Sequence, residues 1–320
     1  MEEFDLAAGG WLTSVNKRLD NMAMDLKQIE SIFWVVQLGS VTAAARKLNT
    51  TQPNISQRIH ALERELHTSL FSRNATKLVP TAAGREFFNH SARVLRAVAE
   101  MERNFGTGPV RPVLLRLGAT DMICLLCLGP IVNNLIRDDA ELILDIRTDL
   151  TVNLRQLLSD GRLDAALLAG RIQDTRFVNV SLGEIPLYWM AHPRLLPARG
   201  VISTEQIASL PILSHQEGSD LYSMMEEWFA SDECEAPSFH RFNSLATMIE
   251  MARAGLGATV LPAALAQLHI RSGLLKVLKT KRPFPGLRFF LAYSRQLDEA
   301  TRRLLVEQAA SQGRLFFRSR

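Results

Sequence analysis

The sequence predicts a chain of two folded parts, an N-terminal α+β part built mainly from helices and a C-terminal α/β part. Apolar residues recur at helical spacing from Leu26 to about Met101, interrupted by one short stretch with the pattern of a hairpin. From Val113 onwards, strand and helix patterns alternate, which favours parallel sheets joined by crossover helices. A length of 320 residues agrees with about two domains.

Three helices are predicted to open the N-terminal part. The first begins near Leu26 and ends at Gly39, and Ser40 is placed to cap a short second helix over residues 42–48. Thr51 is the expected N-cap of a third helix, since proline is acceptable in its first turn. Two helices joined by a turn of about three or four residues predict a helix-turn-helix motif.

The third helix has one apolar and one polar face. On a wheel of 100° per residue, Ile59, Leu62 and Leu66 lie within about 40° of Ile55, so these four residues predict a buried stripe. An ordinary amphipathic surface helix shows the same division. The polar face also suits DNA, because glutamine and asparagine can pair with adenine edges and a helix N-terminus favours phosphate. Its members are Gln52, Asn54, Ser56, Gln57, His60 and Arg64.

A hairpin and a long helix follow. Residues 70–73 and 78–81 have the pattern of a two-stranded wing with cations at its tip, and Thr81 is placed to cap the next helix. That helix carries an apolar stripe from Gly84 to Met101. We expect the stripe to pair with a second copy of itself, which makes the chain a dimer.

Composition indicates a globular chain whose positive charge is concentrated near the N-terminus. Hydrophobic residues make up 47% and charged residues 22% of the chain, which excludes a disordered or collagen-like protein. The formal net charge is only +4, but residues 40–99 hold nine basic and three acidic residues. An attraction to phosphate would be concentrated there, although a solvated helical surface accounts for the charge equally well.

The sequence contains no membrane or export signal. No apolar run approaches the roughly 20 residues of a membrane helix. The start is acidic where a signal peptide is basic, and three cysteines cannot form a disulfide framework. We therefore expect a cytoplasmic protein without a membrane partner. Residues 1–23 are expected to be an extension outside the fold, with Met22 or Met24 as alternative starts.

Many residues between positions 43 and 84 match the motifs of one family. They are Ala-Ala-Ala-Arg-Lys-Leu at 43–48, Thr-Gln-Pro-Asn-Ile-Ser at 51–56, Ile59, Leu62, Glu63, Glu65, Leu66, Leu70, Phe71, Arg73 and Thr-Ala-Ala-Gly at 81–84. This segment resembles the N-terminal domain of the LysR-type transcriptional regulators. The resemblance implies a winged helix-turn-helix, a linker helix used for dimerisation, and a C-terminal effector domain of two lobes like that of periplasmic binding proteins.

The resemblance also implies roles at the DNA. Gln52, Pro53, Ser56 and Gln57 would approach the major groove, and Arg73 would lie at the wing.

Two positions depart from the family pattern. The family often has arginine where this chain has Gln57, and the exchange would shift readout from guanine towards adenine by roughly 1–3 kcal/mol at one base pair. Arg58 could instead take over a phosphate contact. The family often has leucine where this chain has Pro80, which a strand edge tolerates.

We therefore predict a sequence-specific DNA-binding transcriptional regulator controlled by a small-molecule effector. Residues 24–81 are assigned to the winged helix-turn-helix and residues 82–108 to the linker helix. The alternative is an α/β solute-binding or enzymatic protein whose N-terminal helices only mediate association. Expected partners are double-stranded operator DNA and further copies of the chain in a homodimer or homotetramer, with RNA polymerase as a further candidate. The predicted DNA-binding residues are Arg46, Lys47, Thr51, Gln52, Pro53, Asn54, Ser56, Gln57, Arg58, Arg73 and Lys77.

The C-terminal part, residues 109–320, is predicted to form two lobes. Residues 109–170 and 275–320 are assigned to the first lobe and residues 171–274 to the second. Motifs at 161–164, 217–219, 254–257 and 261–262 also resemble the effector domain of the same family. Predicted strands lie at 113–117, 142–146, 163–170 and 289–293 in the first lobe, and at 177–182, 186–191, 212–214 and 258–262 in the second. Predicted helices include 154–158, 221–230, 244–255 and 298–310.

Polar residues that follow strands predict the effector site. In an open α/β sheet, ligands collect beyond the carboxyl ends of strands, where helix N-termini offer N–H groups. Each hydroxyl would serve equally well as an N-cap. Arg171 would either pair with an anionic effector or be a plain surface cation, whereas Asp121 disfavours a nearby carboxylate, so the charge of the effector stays open. The predicted effector-binding residues are Thr120, Asp121, Thr148, Thr151, Arg171, Ser214, His215, Asn243 and Ser244.

Cys124 and Cys127 form a C-x-x-C pair, the spacing of thiol redox sites. Apolar neighbours on all sides favour buried core cysteines instead, and a redox sensor is the lesser hypothesis. The motifs G-x-S-x-G, the P-loop and H-E-x-x-H do not occur, and the seven histidines lack metal-ligand spacing. We therefore expect a protein that is not an enzyme and that needs no cofactor or metal.

Overall fold

The computed structural model of this chain contains two compact units that divide between residues 111 and 112; the first is described up to Phe105 and the second from Val113. Within the described ranges, no helix combines the length and the apolar character needed to cross a membrane. The extension predicted at residues 1–23 and the wing-tip cations Arg73 and Lys77 lie outside the described residues. The structure describes residues 24–72, 79–105, 113–140, 142–196, 200–232, 234 and 237–316.

The first unit begins with three helices at the predicted places. They are α1 (Leu26–Leu38), α2 (Val41–Lys47) and α3 (Gln52–Glu65). Ser40 caps α2 and Thr51 caps α3 by accepting backbone hydrogen bonds from the first turn of each helix. The helix-turn-helix prediction is confirmed.

The apolar stripe of α3 is buried over most of its predicted length. Ile55, Ile59 and Leu62 are at most 5% exposed. The prediction is wrong for Leu66, which is 39% exposed. Leu66 is the C-cap of α3 and still donates its N–H to the carbonyl of Leu62, so it lies at the exposed end of the stripe.

A two-stranded wing follows α3, as predicted. Strand β1 (Phe71–Ser72) pairs antiparallel with β2 (Val79–Pro80), and Pro80 is accommodated in the pairing. Glu63 of α3 accepts hydrogen bonds from the backbone N–H groups of Leu70 (2.7 Å) and Phe71 (3.2 Å). This carboxylate therefore holds the start of the wing against α3.

The long helix α4 (Ala82–Phe105) begins directly after the wing. Thr81 caps it by accepting a hydrogen bond from the N–H of Gly84 (3.0 Å). Glycine is required at position 84, because a Cβ atom there would overlap the backbone oxygen of Leu70. The far end of the predicted apolar stripe is exposed, and Met101 shows 62% of its surface.

The second unit alternates strands and helices along the chain. Its strands are β3 (Val113–Ala119), β4 (Leu142–Thr148), β5 (Ala165–Ala169), β6 (Phe177–Ile185), β7 (Leu187–Ala191), β8 (Ile212–His215), β9 (Phe239–Phe242), β10 (Thr259–Pro262), β11 (Lys276–Val277) and β12 (Leu287–Ser294). Its helices are α5 (Asp121–Ile123), α6 (Gly129–Asp138), α7 (Thr151–Ser159), α8 (Thr204–Ala208), α9 (Asp220–Ala230), α10 (Leu245–Arg253), α11 (Ala263–Arg271) and α12 (Glu299–Phe316). A π-helical turn (Cys124–Leu128) joins α5 to α6, and a 3-10 turn (Pro193–Leu195) follows β7.

The first lobe is built on a mixed sheet with the strand order β4-β3-β5-β12-β6. Strands β4, β3 and β5 are parallel, as predicted, whereas β12 lies antiparallel between β5 and β6. The prediction that residues 177–182 belong to the second lobe is wrong, because β6 pairs with β12 along its whole length. Local apolar patterning does not reveal which sheet a strand joins, so the error falls at the boundary between lobes.

The second lobe contains the strand order β10-β7-β11, which is antiparallel, and the parallel pair β8-β9. Because β11 pairs with β7, the chain returns to the first sheet only at β12, later than the predicted position 275. Trp189, Trp228, Phe229 and Phe284 pack together in the core of this lobe.

A buried ion pair joins the middle of β3 to the residue before β5. Arg116 on β3 and Asp164, just before β5, have side chains that are 3% and 5% exposed. The carboxylate accepts hydrogen bonds from Nη2 (2.8 Å) and Nε (3.2 Å) of Arg116 and from its backbone N–H (2.9 Å). The pair therefore holds β3 against the start of β5. The carboxyl end of β3 leads into the predicted effector residues Thr120 and Asp121.

Candidate functional site

The first turn of α3 presents polar side chains on the surface of the first unit. Thr51, Gln52, Pro53 and Asn54 are exposed, as is Gln57 one turn later. Ser56, also in the predicted set, is half-buried.

Two amides of this turn are held by neighbouring hydroxyl groups. Thr42 on α2 donates its hydroxyl proton to Oε1 of Gln52 (3.2 Å), and Nδ2 of Asn54 donates to the hydroxyl of Thr50 (3.3 Å). One hydroxyl of α2 and one of the turn after it thus orient both side chains before any partner binds. A side chain that is already oriented loses less rotamer freedom on contact, which favours hydrogen bonding to a base edge.

The predicted cations occupy different surroundings. Arg46 is exposed near the end of α2, and Nζ of the exposed Lys47 lies 5.1 Å from the ring centre of Trp34. Arg58 is half-buried and donates to the hydroxyl of Ser31 (3.4 Å), so this side chain is partly engaged within the domain.

The second unit contains a cavity of about 270 Å³ between its two lobes, which we call the interlobe cavity. It opens beyond the carboxyl ends of strands β3, β4, β8 and β9, where ligands collect in α/β sheets. Seven of the nine predicted effector residues line it, namely Thr120, Asp121, Thr148, Thr151, His215, Asn243 and Ser244.

The structure does not bring Arg171 and Ser214 to this cavity. The guanidinium of Arg171 is exposed and lies 5.8 Å from the ring centre of Phe290. Ser214 is fully buried, because successive side chains of a strand point to opposite faces and His215 is the one that faces the cavity.

Sequence reasoning does not find several cavity residues. The polar ones are Asp149, Ser219 and Asp220. Ser219 caps α9 by accepting from the N–H of Tyr222 (3.1 Å), and this serine-aspartate start of a helix is a signal that could locate the site. The apolar lining residues are Met122, Leu150, Leu221, Leu245, Leu287 and Phe289.

Two hydrogen bonds cross the cavity and join the lobes. The hydroxyl of Thr151 in the first lobe donates to Oδ2 of Asp220 in the second (2.5 Å). The backbone N–H of Leu245 in the second lobe donates to Oδ2 of Asp121 in the first (2.5 Å). These two bonds hold the lobes together, and we call them the interlobe clasp.

The N-cap interpretation of the hydroxyl residues holds for some positions and fails for others. Ser244 does cap α10, accepting from the N–H of Thr247 (3.4 Å). Thr120 stands at the N-cap position of α5 without making a capping bond, and its buried hydroxyl has no partner among the described residues. Thr151 uses its hydroxyl for the clasp.

His215 contributes an imidazole to the lining of the interlobe cavity. It is 8% exposed, and its Nε2 has no hydrogen-bond partner in the described part of the chain. Burial lowers the pKa of His215, against the opposing effects of Asp121 and of a hydrogen bond to the backbone of Asn243. The ring is therefore neutral at neutral pH.

The two cysteines of the C-x-x-C pair lie in the π-helical turn. Cys127 is 1% exposed, and burial raises its thiol pKa to about 12. Burial also raises the pKa of the half-buried Cys124, whose Sγ lies 3.3 Å from the hydroxyl of Thr148. Both residues are free cysteines, and their surroundings disfavour the reactive thiolate.

A winged helix-turn-helix followed by a long helix and a two-lobed α/β domain with a cavity between its lobes defines an effector-responsive DNA-binding regulator. Two family models match the chain, "Bacterial regulatory helix-turn-helix protein, lysR family" over residues 26–85 and "LysR substrate binding domain" over residues 113–312. The chain belongs to the LysR family of transcriptional regulators.

Named relatives and solved structures agree with this assignment. The regulator CzcR of Bacillus thuringiensis (strain Al Hakam) is 26% identical over 248 residues, which are 78% of this chain and 80% of the relative. SoxR of Arthrobacter sp. (strain TE1826) is 24% identical over 79% of this chain and 85% of its own length. A full-length variant of OxyR from Pseudomonas aeruginosa has the same fold with a TM-score of 0.67 at 24% identity, covering 92% of this chain and 95% of that one. ArgP of Mycobacterium tuberculosis has a TM-score of 0.66 at 20% identity, covering 93% and 100%.

Proposed function

We propose that this regulator binds its operator through the first turn of α3 and that a small molecule in the interlobe cavity controls the binding. The observation that carries the proposal is the pair of exposed amides, Gln52 and Asn54, each oriented by a neighbouring hydroxyl. Oriented amides on a helix N-terminus suit hydrogen bonding to base edges in the major groove. Pro53, Ser56 and Gln57 complete the base-reading set.

Cations around this turn supply the sequence-independent part of the affinity. Arg46 and Lys47 are exposed at the end of α2, and Arg58 lies on α3 itself. We assign these three to phosphate, together with Arg73 and Lys77, whose assignment rests on the sequence analysis alone. Phosphate contacts fix the register of the protein on the duplex without reading sequence.

We infer that the working form is a homodimer through α4, with a homotetramer as the expected larger assembly. The exposed apolar end of α4, including Met101 and Phe105, supports a helix-helix contact between copies. RNA polymerase is a candidate partner. We further infer that the chain acts in the cytoplasm and by binding rather than by catalysis.

Control by the effector follows from the position of the cavity. A ligand that contacts both lobes binds the closed arrangement more tightly than the open one, and it shifts the equilibrium by that difference in affinity. The seven cavity-lining residues predicted from the sequence are the proposed contacts.

The test is a salt titration of duplex binding by the full chain, using DNA from upstream of its own gene. Each neutralised phosphate contributes about −0.9 to the slope of log affinity against log salt. Arg46→Ala should make the slope shallower by about 0.9 for each phosphate that is no longer neutralised. The matched control is Arg137→Ala, which removes an exposed arginine of the second unit and should leave the slope unchanged. Absence of duplex binding would contradict the proposal and would favour the solute-binding or enzymatic alternative.

A further inference from the structure

The charged side chains in the described lining of the interlobe cavity are all acidic. Three carboxylates line it, those of Asp121, Asp149 and Asp220, and none of its described lining residues is lysine or arginine. His215, the remaining titratable group of the lining, is neutral at neutral pH because its pKa is lowered by burial.

One of these carboxylates is partly balanced by a cation behind it. Asp149 accepts hydrogen bonds from Asn153 (2.7 Å), from the backbone N–H of Leu150 (2.9 Å) and from Arg147 (3.3 Å). Burial by itself raises the pKa of Asp149, but these hydrogen bonds outweigh it and lower the pKa, so the group is an anion at neutral pH. Arg147 is half exposed and is not part of the cavity lining.

Helix N-termini would ordinarily favour an anionic ligand here, since α7, α9 and α10 all begin at the cavity. The protein's own oxygen atoms already accept from several of those N–H groups. Ser219 accepts from the first turn of α9, Ser244 from the first turn of α10, and Asp121 from the N–H of Leu245. At α9 and α10 an anionic ligand would have to displace these acceptors, and at α7, which has no side-chain cap, it would share the cavity with the carboxylate of Asp149.

The unpartnered nitrogen of His215 points to the same kind of ligand. Nε2 has no partner in the described chain. In the tautomer that carries its proton on Nδ1, the neutral ring leaves Nε2 able to accept a hydrogen bond from a ligand. The buried hydroxyl of Thr120 is likewise without a partner among the described residues. The three carboxylates and Nε2 of His215 therefore offer acceptors to a ligand that brings N–H donors.

We propose that the effector is a compact organic cation, an amine or guanidinium compound, whose N–H groups bind Asp121, Asp220 and Nε2 of His215. This rests on the proposed function, because it names the ligand class of the same cavity. The volume of about 270 Å³ lies just below the usual range of roughly 300–1,000 Å³ for small-molecule sites, which suits a small ligand. The described residues contain no group of three His, Cys, Asp or Glu side chains that could hold a metal ion, which favours an organic cation over a metal.

The experiment compares matched probes on the full chain by isothermal titration calorimetry. 1,5-Diaminopentane is paired with glutarate, and arginine with its neutral analogue citrulline. We expect the amine and guanidinium probes to bind and their partners to bind much more weakly or not at all.

Variants that remove a negative charge but keep the shape of the side chain then show which carboxylates contact the ligand. Asp121→Asn and Asp220→Asn keep an oxygen that can accept from Leu245 N–H and from the Thr151 hydroxyl, so the clasp is retained. Each should weaken the cationic probes by roughly 10–100-fold, the value of a hydrogen bond to a charged group. Asp160→Asn, an exposed residue outside the cavity lining, removes the same charge and should leave the affinity unchanged.

The outcomes separate this inference from the proposed function. Binding of glutarate that is strengthened by Asp121→Asn, equal affinity within the probe pairs, or failure of all cationic probes at millimolar concentration would each overturn the cationic effector. Those results leave operator binding in the salt titration untouched. Loss of duplex binding there would instead overturn the proposed function.

Discussion

Removing the buried carboxylate of Asp164 should destabilise the second unit strongly. The Asp164→Ala substitution removes the acceptor of two bonds from the guanidinium of Arg116, a side chain that is 3% exposed, and of one bond from the backbone N–H of Arg116. Removing one partner of a buried ion pair costs about 3–5 kcal/mol, because the remaining buried charge loses the opposite charge that offset its desolvation. For a domain of this size each kcal/mol lowers the melting temperature by about 2–4 °C, so the expected loss is about 6–20 °C.

Differential scanning calorimetry of the full chain measures this loss. The matched control is Asp174→Ala, which removes the same type of pair with Arg176 at the surface and should leave the melting temperature almost unchanged. A third variant, Arg116→Met with Asp164→Leu, replaces the pair by apolar side chains and should recover most of the loss. If Asp164→Ala lowered the melting temperature no more than Asp174→Ala does, the assigned role of the pair in locking β3 would be refuted.

Three further predictions follow from named contacts. Gly84→Ala should destabilise the first unit by about 1–3 kcal/mol and weaken DNA binding, because its Cβ would overlap the backbone oxygen of Leu70. The control Gly129→Ala, whose Cβ meets nothing within 4 Å, should be neutral or stabilising, and equal melting temperatures of the two variants would contradict the overlap at position 84. Thr151→Val should remove one bond of the interlobe clasp and shift the lobes towards the open arrangement by roughly 10–100-fold, visible as a larger radius of gyration in small-angle scattering; an unchanged radius would count against the clasp. Burial holds the pKa of His215 below its ordinary 6.5, so the contribution of the neutral ring to the free energy of unfolding is present above pH 6.5 and is lost as the pH falls through the folded-state pKa. In denaturant titrations, the stability of His215→Asn should therefore depend less on acid pH than that of the parent chain.

The N-terminal unit is predictable because its signals are local. Ser40, Thr51 and Thr81 are capping residues that mark helix starts within a few positions, and the spacing of Ile55, Ile59 and Leu62 marks a buried face. The prediction fails at Leu66, the C-cap of α3, because periodicity indicates the face on which a residue lies but not whether other parts of the domain cover that end of the helix.

The C-terminal unit is harder to predict because its decisive contacts are distant in sequence. Seven of the nine predicted effector residues line the interlobe cavity, because their prediction depends only on where strands end and ligands collect beyond the carboxyl ends of strands. Nothing local indicates that Arg116 pairs with Asp164, that β6 joins β12, or that Thr151 meets Asp220. These partners are set by tertiary packing, so only the structure reveals them.

The base-reading role of α3 is tested most directly by the discrimination of the Gln52→Ala variant between operator and non-specific DNA. The operator is a duplex carrying the footprint found upstream of the chain's own gene, and the competitor is a scrambled duplex of equal length. Loss of the oriented amide should weaken operator binding by about 1–3 kcal/mol while leaving the scrambled duplex unaffected. An equal loss on both duplexes would show that Gln52 contacts only the backbone, and would contradict the placement of this helix turn against base edges.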